Sequence, residues 1–330
     1  MKTLLAIPCL FVLLGGDESM PPGLPDALVM ADGTKVATPQ QWREKRRPEL
    51  LQLFAREMYG QMPGRPESMK FEVFDTDAKA LGGKATRRQV AIYFTGKPEG
   101  PRMDLLIYLP NGAKRPVPVI FGLNFWGNHA VHADPGIRMT TSYMEEGTRN
   151  HPYLDLSGVK DHRATEACRG TDAKRWPVDE ILARGYGFAT AYRGDIDPDM
   201  PDGLPQSIRA RYPELQDRGD NFSTIAAWAW AFSRGMDYLQ TAADIDAKRV
   251  VIFGWSRLGK AAIWAAANDE RFALVISSES GSGGAKLFHH DVGENIKRLN
   301  TVFPHWYCQT SGSTTTKRRA CPSTSTWCWP

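Results

Sequence analysis

Residues 250–270, VVIFGWSRLGKAAIWAAANDE, constrain the fold more than any other stretch. Val250, Val251, Ile252 and Phe253 run without a polar break into Gly254, the pattern of a strand covered on both faces. Trp255, Ser256, Arg257 and Gly259 follow, and then an alanine-rich run of helix formers. A buried strand that turns sharply into a helix belongs to a sheet with helices packed on it. The neighbouring stretches repeat the pattern. Residues 117–121 are another continuous apolar run, and PVDEILARGYGFATAYRGDIDPD reads as helix, glycine stop, strand and an Asp-rich turn. NFSTIAAWAWAFSRGMDYLQTAADID predicts a long helix capped by Ser223 or Thr224, and RFALVISSESGSGG predicts a strand that ends among small residues. From about residue 117 onward strands and helices alternate, which predicts an α/β fold with a mostly parallel sheet. Before that, MKFEVFDTDA, RRQVAIYFTG and RMDLLIYLP alternate apolar with polar residues and predict an antiparallel portion. QQWREKRRPELLQLFAREMYGQMPG predicts a helix stopped at Gly60 and Pro63. Residues 134–175 lack periodicity and predict a long loop.

Composition narrows the function classes. The chain of 330 residues carries 41 basic and 37 acidic side chains, and apart from Lys317, Arg318 and Arg319 the basic ones are scattered. That balance gives no footprint for nucleic acid. MKTLLAIPCLFVLLGG opens with one lysine and a short apolar run, too short for a membrane span and suited to a signal peptide over residues 1–20. A secreted or periplasmic protein without stable membrane insertion is therefore expected. Of the five cysteines, Cys168 and Cys308 are the pair that an exported chain could join. No Cys/His spacing suggests zinc, and no metal or organic cofactor is expected.

Sites in a doubly wound sheet form beyond the carboxyl ends of its strands, where Ser256 falls. Glycine on either side of such a serine marks a nucleophile elbow, a strained turn that aims the hydroxyl outward at a helix N-terminus. Here the second glycine, Gly259, comes one place late, and the pattern also suits a serine that merely caps a helix. Glu279 lies at the end of the next strand, either as the acid of a triad or as a solvated loop residue. The downstream histidines are His289, His290 and His305. Each reads as a packed or surface residue, so no convincing general base is present.

These stretches together resemble the glucuronoyl esterases, carbohydrate esterase family 15. The matching segments are LFAREMYGQMPG, VIFGLNFWGNHA, RGYGFATAYRGDIDPD, GWSRLGKAA, ESGSGGA, GEN and NTVFPHWYC, spread over residues 24–308. The family's elbow, G-x-S-R-x-G-K, has the late glycine. The resemblance implies an α/β-hydrolase three-layer sandwich and hydrolysis of esters of 4-O-methyl-glucuronic acid on glucuronoxylan, the lignin–carbohydrate esters. It implies Ser256 as nucleophile, Glu279 as triad acid, Arg257 in the oxyanion hole, and Lys260 and Glu294 as ligands of the sugar hydroxyls. Without it, Arg257 and Lys260 would read as solvated helix-face charges.

The domain would then occupy residues 21–308, followed by an aberrant tail at 309–330. QTSGSTTTKRRACPSTSTWCWP is poor in apolar residues and has no periodicity. In a shifted frame, plausible codons for 310–330 give a string like the family's continuation, which suggests a lost base near Gln309. On that reading the last strands and the catalytic histidine are missing and the chain is inactive. Two other functions fit the residues: an acetylxylan or other exported carboxylesterase, and a non-catalytic carbohydrate-binding relic. In the latter, Trp126 and Trp306 would stack on sugars or belong to the core.

Overall fold

The alternating segments at 70–110 form three strands, β1 (Lys70–Ala80), β2 (Ala85–Tyr93) and β3 (Arg102–Pro110), paired antiparallel. In this computed structural model residues 25–146, 158–286 and 293–312 are described. The expected signal segment, His289, His290 and the tail after residue 312 lie outside them. The helix expected before β1 runs from α1 (Pro39–Gln41) through α2 (Arg47–Phe54) to Tyr59, with wider π turns at Trp42–Arg46 and Ala55–Tyr59. Thr38 caps it by accepting a hydrogen bond from Gln41 N. Gly60 ends it at φ 86°, where an added Cβ would lie 1.9 Å from Asn221 O.

The continuous apolar run becomes β4 (Val117–Asn124). The aperiodic stretch after it contains only short turns and a small hairpin of β5 (Val159–Lys160) and β6 (Arg163–Ala164) among its described residues. Then come α3 (Val178–Ala183), β7 (Gly187–Tyr192), α4 (Thr224–Leu239), β8 (Ile245–Trp255), α5 (Arg257–Asn268), β9 (Leu274–Ser278) and α6 (Ile296–Val302). Ser223 caps α4, its Oγ accepting from Ala226 N at 3.3 Å. The strands lie in the order β1-β2-β3-β7-β4-β8-β9. β3 and β7 pair antiparallel, and β7, β4, β8 and β9 are parallel. This mixed sheet with helices on both faces is the expected α/β-hydrolase fold.

Two apolar layers hold it together. On one face α4 presents Trp228 and Phe232, both fully buried, and Phe232 meets Phe121 of β4 edge to face at 5.2 Å. Gly235 lets the helix come that close, since a Cβ there would stand 2.6 Å from the Phe121 ring. On the other face Val178 and Leu182 of α3 pack with Trp176 on Tyr108 and Phe188. Each such large apolar side chain contributes about 1.5–3 kcal/mol on burial.

β9 is the outer strand among the described residues, and one of its faces is uncovered. Val251 pairs with Leu274 and Phe253 with Ile276, so all four side chains share the α3 face. Leu274 and Ile276 are 56% and 43% exposed. Bare apolar residues on an outer parallel strand template association. Ile276→Lys is expected to lower the aggregated fraction in size-exclusion chromatography while changing stability by less than about 0.5 kcal/mol. An unchanged elution profile would show that this face does not mediate association.

Candidate active site

The backbone around Ser256 explains the late glycine. Ser256 stands between β8 and α5 at φ 53° and ψ −125°, a conformation that costs a non-glycine residue on the order of 1–3 kcal/mol. Its N–H donates to Ser278 O at 2.9 Å, which ties the turn to the end of β9. A Cβ on Gly254 would lie 2.1 Å from Leu258 O, and one on Gly259 would lie 3.0 Å from Gly254 O. The first turn of α5 therefore sits directly on the strand it leaves, and the glycine has to fall at 259, where the helix passes Gly254. Ser256 makes no side-chain cap. Its carbonyl instead accepts from Gly259 N and Lys260 N. The N–H groups of Arg257 and Leu258 come too early in α5 for an intrahelical acceptor and open at the helix's positive end.

Arg257 and Lys260 leave α5 on the same side, one turn apart. The Arg257 guanidinium lies over the Trp306 ring, 4.6 Å from its centroid, and its Nη1 donates to Asp199. Among the described residues its Nε is buried without a partner. Lys260 is almost fully buried, with Nζ 2.6 Å from Ser280 O, 3.1 Å from Glu294 Oε2 and 5.6 Å from the Trp306 ring centroid. Burial pulls its pKa below the ordinary lysine value, and the Glu294 carboxylate opposes the shift. Glu294 is placed by Gly281, where a Cβ would lie 2.5 Å from Glu294 Oε2, and by the Ser282 N–H at 3.1 Å. Three of the five residues singled out from sequence thus meet at the mouth of α5. Glu294 joins them through Lys260.

Glu279, the fifth, stands at the end of β9 at φ 49° and is exposed. It is not left without a partner: its Oε2 accepts from Trp255 Nε1 at 2.7 Å, which holds it beside the residue preceding Ser256. Asp199, Ser256 and Glu279 are three of the few non-glycine residues with positive φ, and all three belong to this site. Trp126 and Trp306 are both buried, so neither offers an open face to a sugar. Among the described residues no hydrogen bond joins a histidine to Ser256 or Glu279. His305 instead places Nε2 3.0 Å from Asp199 Oδ1. No disulfide joins Cys168 to Cys308; both are buried. The first residues of the expected tail pack on the fold, with Thr310 N donating to Gly219 O and Ser311 buried.

Sequence reasoning missed Asp199. It lies in the Asp-rich turn after β7, and only its position in RGDIDPD could have drawn attention to it. It is almost wholly enclosed, and Arg193 Nη1, Arg257 Nη1, His305 and Trp306 Nε1 all converge on its carboxylate. Those partners, led by the Arg193 charge, hold its pKa far below the carboxylate range against the cost of burial. Beside this turn two buried groups shift in the opposite sense. Desolvation, with like charge from Asp104, raises Asp195 to about 7. His129, in the loop after β4, is lowered by burial to about 4, and neither ring nitrogen has a partner among the described residues.

Comparison with known proteins agrees on one family. A family model described as glucuronyl esterase, fungi, matches residues 207–320, which include all five residues above. Carbohydrate esterase MZ0003, from an unknown prokaryotic organism, is 47% identical over 300 residues, covering 88% of this chain and 67% of that protein. The glucuronoyl esterase from Solibacter usitatus superposes with a TM-score of 0.79 at 44% identity, over 88% of this chain and 72% of the other. A structure described as a promiscuous CE15 esterase from a marine bacterial metagenome gives 0.80 at 44% identity, over 91% and 73%.

Two predictions follow from the geometry. Gly254→Ala forces a side chain into the α5 backbone and is expected to destabilise the fold by at least about 2 kcal/mol in urea denaturation; a smaller effect would mean that the turn can relax. The second concerns pH. His129 binds a proton in the unfolded chain but not in the folded one between about pH 6.5 and about 4, so its contribution to stability is lost as pH falls through that window. Asp195 is protonated in the folded state up to about pH 7, so its contribution is lost as pH rises from 3.8 to about 7. The two oppose each other. Asp195→Asn should leave stability rising by on the order of 3 kcal/mol from pH 4 to 6.5, and His129→Gln should make it fall. Equal pH slopes in both variants and the parent would contradict this assignment.

Proposed function

The chain belongs to the glucuronoyl esterases of carbohydrate esterase family 15, which are carboxylic-ester hydrolases, and we propose that it cleaves the ester between the carboxyl of a 4-O-methyl-glucuronic acid on glucuronoxylan and an alcohol, as in lignin–carbohydrate esters. One observation carries the substrate assignment: two cations of α5, Arg257 and Lys260, lie one turn apart after the positive-φ turn at Ser256, with Glu294 across from Lys260. Ser256 Oγ attacks the ester carbon as its proton passes to solvent water, since no histidine among the described residues reaches it, and a proton is returned to the departing alcohol oxygen. The carbonyl oxygen gains negative charge next to the Arg257 N–H and guanidinium, a role worth about 3 kcal/mol of barrier for one donor. Collapse of the tetrahedral species expels the alcohol, and water then releases the uronate from Ser256. Lys260 and Glu294 hold the sugar hydroxyls, and Glu279 occupies the position of a triad acid, held there by Trp255. The apolar run near the N-terminus supports export, so the polymer is met outside the cytoplasm. Among the described residues no helix is long and apolar enough to cross a membrane.

The test is hydrolysis of benzyl glucuronate by the purified full-length chain. At most slow turnover is expected, because no histidine among the described residues reaches Ser256; what turnover there is should vanish in Ser256→Ala and fall about 100-fold in kcat in Arg257→Ala. Activity that survives Ser256→Ala contradicts the mechanism. Turnover of acetylated xylan without turnover of the uronate ester would instead make the chain a different carboxylesterase.

A further inference from the structure

We propose that Asp199 is the positioning residue of this site, the buried anion that fixes the Arg257 guanidinium where the ester carbonyl would lie and locks the Trp306 indole packed beneath it. Its catalytic consequence rests on the esterase reading above.

Asp199 follows β7 at φ 59°, in the left-handed region, and its N–H donates to Asp197 Oδ1 at 3.1 Å. Asp197 is itself fully buried and is pinned by Arg209 Nε and Ser207 Oγ, each at 2.7 Å. The strained backbone is therefore held from behind, and the Asp199 side chain has no freedom to follow its partners. Its two oxygens divide the work. Oδ2 receives Arg193 at 2.7 Å and Arg257. Oδ1 receives Trp306 Nε1 at 2.7 Å and faces His305 Nε2 at 3.0 Å.

Charge explains the arrangement. Arg193, Arg257 and Lys260 bring three cations to one place, and a long guanidinium stem only a quarter exposed at its side chain would repel its neighbours. One enclosed carboxylate neutralises part of that charge and anchors Arg257 by one nitrogen. The guanidinium donors not spent on Asp199 remain for an oxygen of the substrate, while Nε stays enclosed without a partner among the described residues. Trp306, locked by the same carboxylate and stacked on Phe303 at 3.8 Å, forms the flat support beneath Arg257 and Lys260. A displacement of about 1 Å at such a donor typically costs on the order of 100-fold in rate.

The experiment compares the full chain with Asp199→Asn, which keeps the shape and loses the charge. Arginine Nε–H and indole N–H signals are followed by ¹H–¹⁵N NMR, with Arg257 assigned through Arg257→Lys and Trp306 through Trp306→Phe. The Arg257 and Trp306 signals are expected to shift or broaden in Asp199→Asn while the other indole signals stay in place. On benzyl glucuronate kcat is expected to fall on the order of 100-fold, with KM changed less than about threefold. If losing the partner of the buried Arg193 prevents folding, Arg193→Met with Asp199→Asn removes that charge and the same signals are read. Unchanged Arg257 and Trp306 signals in a folded variant overturn the proposal, as does an unchanged kcat. Should the parent chain show no turnover while the signals move as expected, the positioning role stands and the esterase reading fails.

Discussion

The structure depends on one close contact, the passage of the first turn of α5 over the end of β8. Gly254 and Leu258 come so near that only a hydrogen fits at position 254, and Gly259 is required where the helix passes back over Gly254 O. This contact forces Ser256 into a positive-φ turn and sets the direction of α5, and with it the directions of Arg257 and Lys260. The strain is local, and it is sustained by the hydrogen bond from Ser256 N to β9 and by the apolar packing of α4 and α5 on the sheet. A looser turn would release the strain and scatter the polar groups that meet there.

Electrostatics then does what packing cannot. Three cations near one another are stable only when buried acceptors are fixed among them, and the chain supplies two of different kinds. Asp199 is enclosed, and its cationic partners favour its ionised form. Glu294 is partly exposed and reaches Lys260 from a separate loop. The first is locked by four partners, while the second meets Lys260 through one carboxylate oxygen. In a partly desolvated site such fixed dipoles and charges act more strongly than in water. They also need little rearrangement when negative charge develops on an ester oxygen.

How far the sequence foretold this depends on the range of each contact. The elbow was legible because everything that makes it lies within six residues. The same holds for the Ser223 cap and for the strands whose alternation or continuity shows how many faces are covered. The π turns around Arg47–Phe54 leave no comparable signal. The place of β7 between β3 and β4 cannot be read locally either, because sheet order is decided by packing across the whole domain. Asp199 escaped notice for that reason. Its partners Arg257 and Trp306 are 58 and 107 residues away and meet it only once β7, β4 and β8 lie side by side. Glu279 was found by its strand-end position, but its hydrogen bond from Trp255 depends on the register that pairs Trp255 with Ser278.

The proposed function requires a uronate ester to settle at the mouth of α5, over Ser256. A crystal structure of Ser256→Ala soaked with methyl glucuronate examines this most directly. The carbonyl oxygen should lie within hydrogen-bonding distance of the Arg257 N–H or guanidinium, with ring hydroxyls on Lys260 and Glu294. Uronate found instead in the 430 Å³ polar cavity lined by Arg102, Arg163 and Asp195, with the α5 mouth empty, would contradict it.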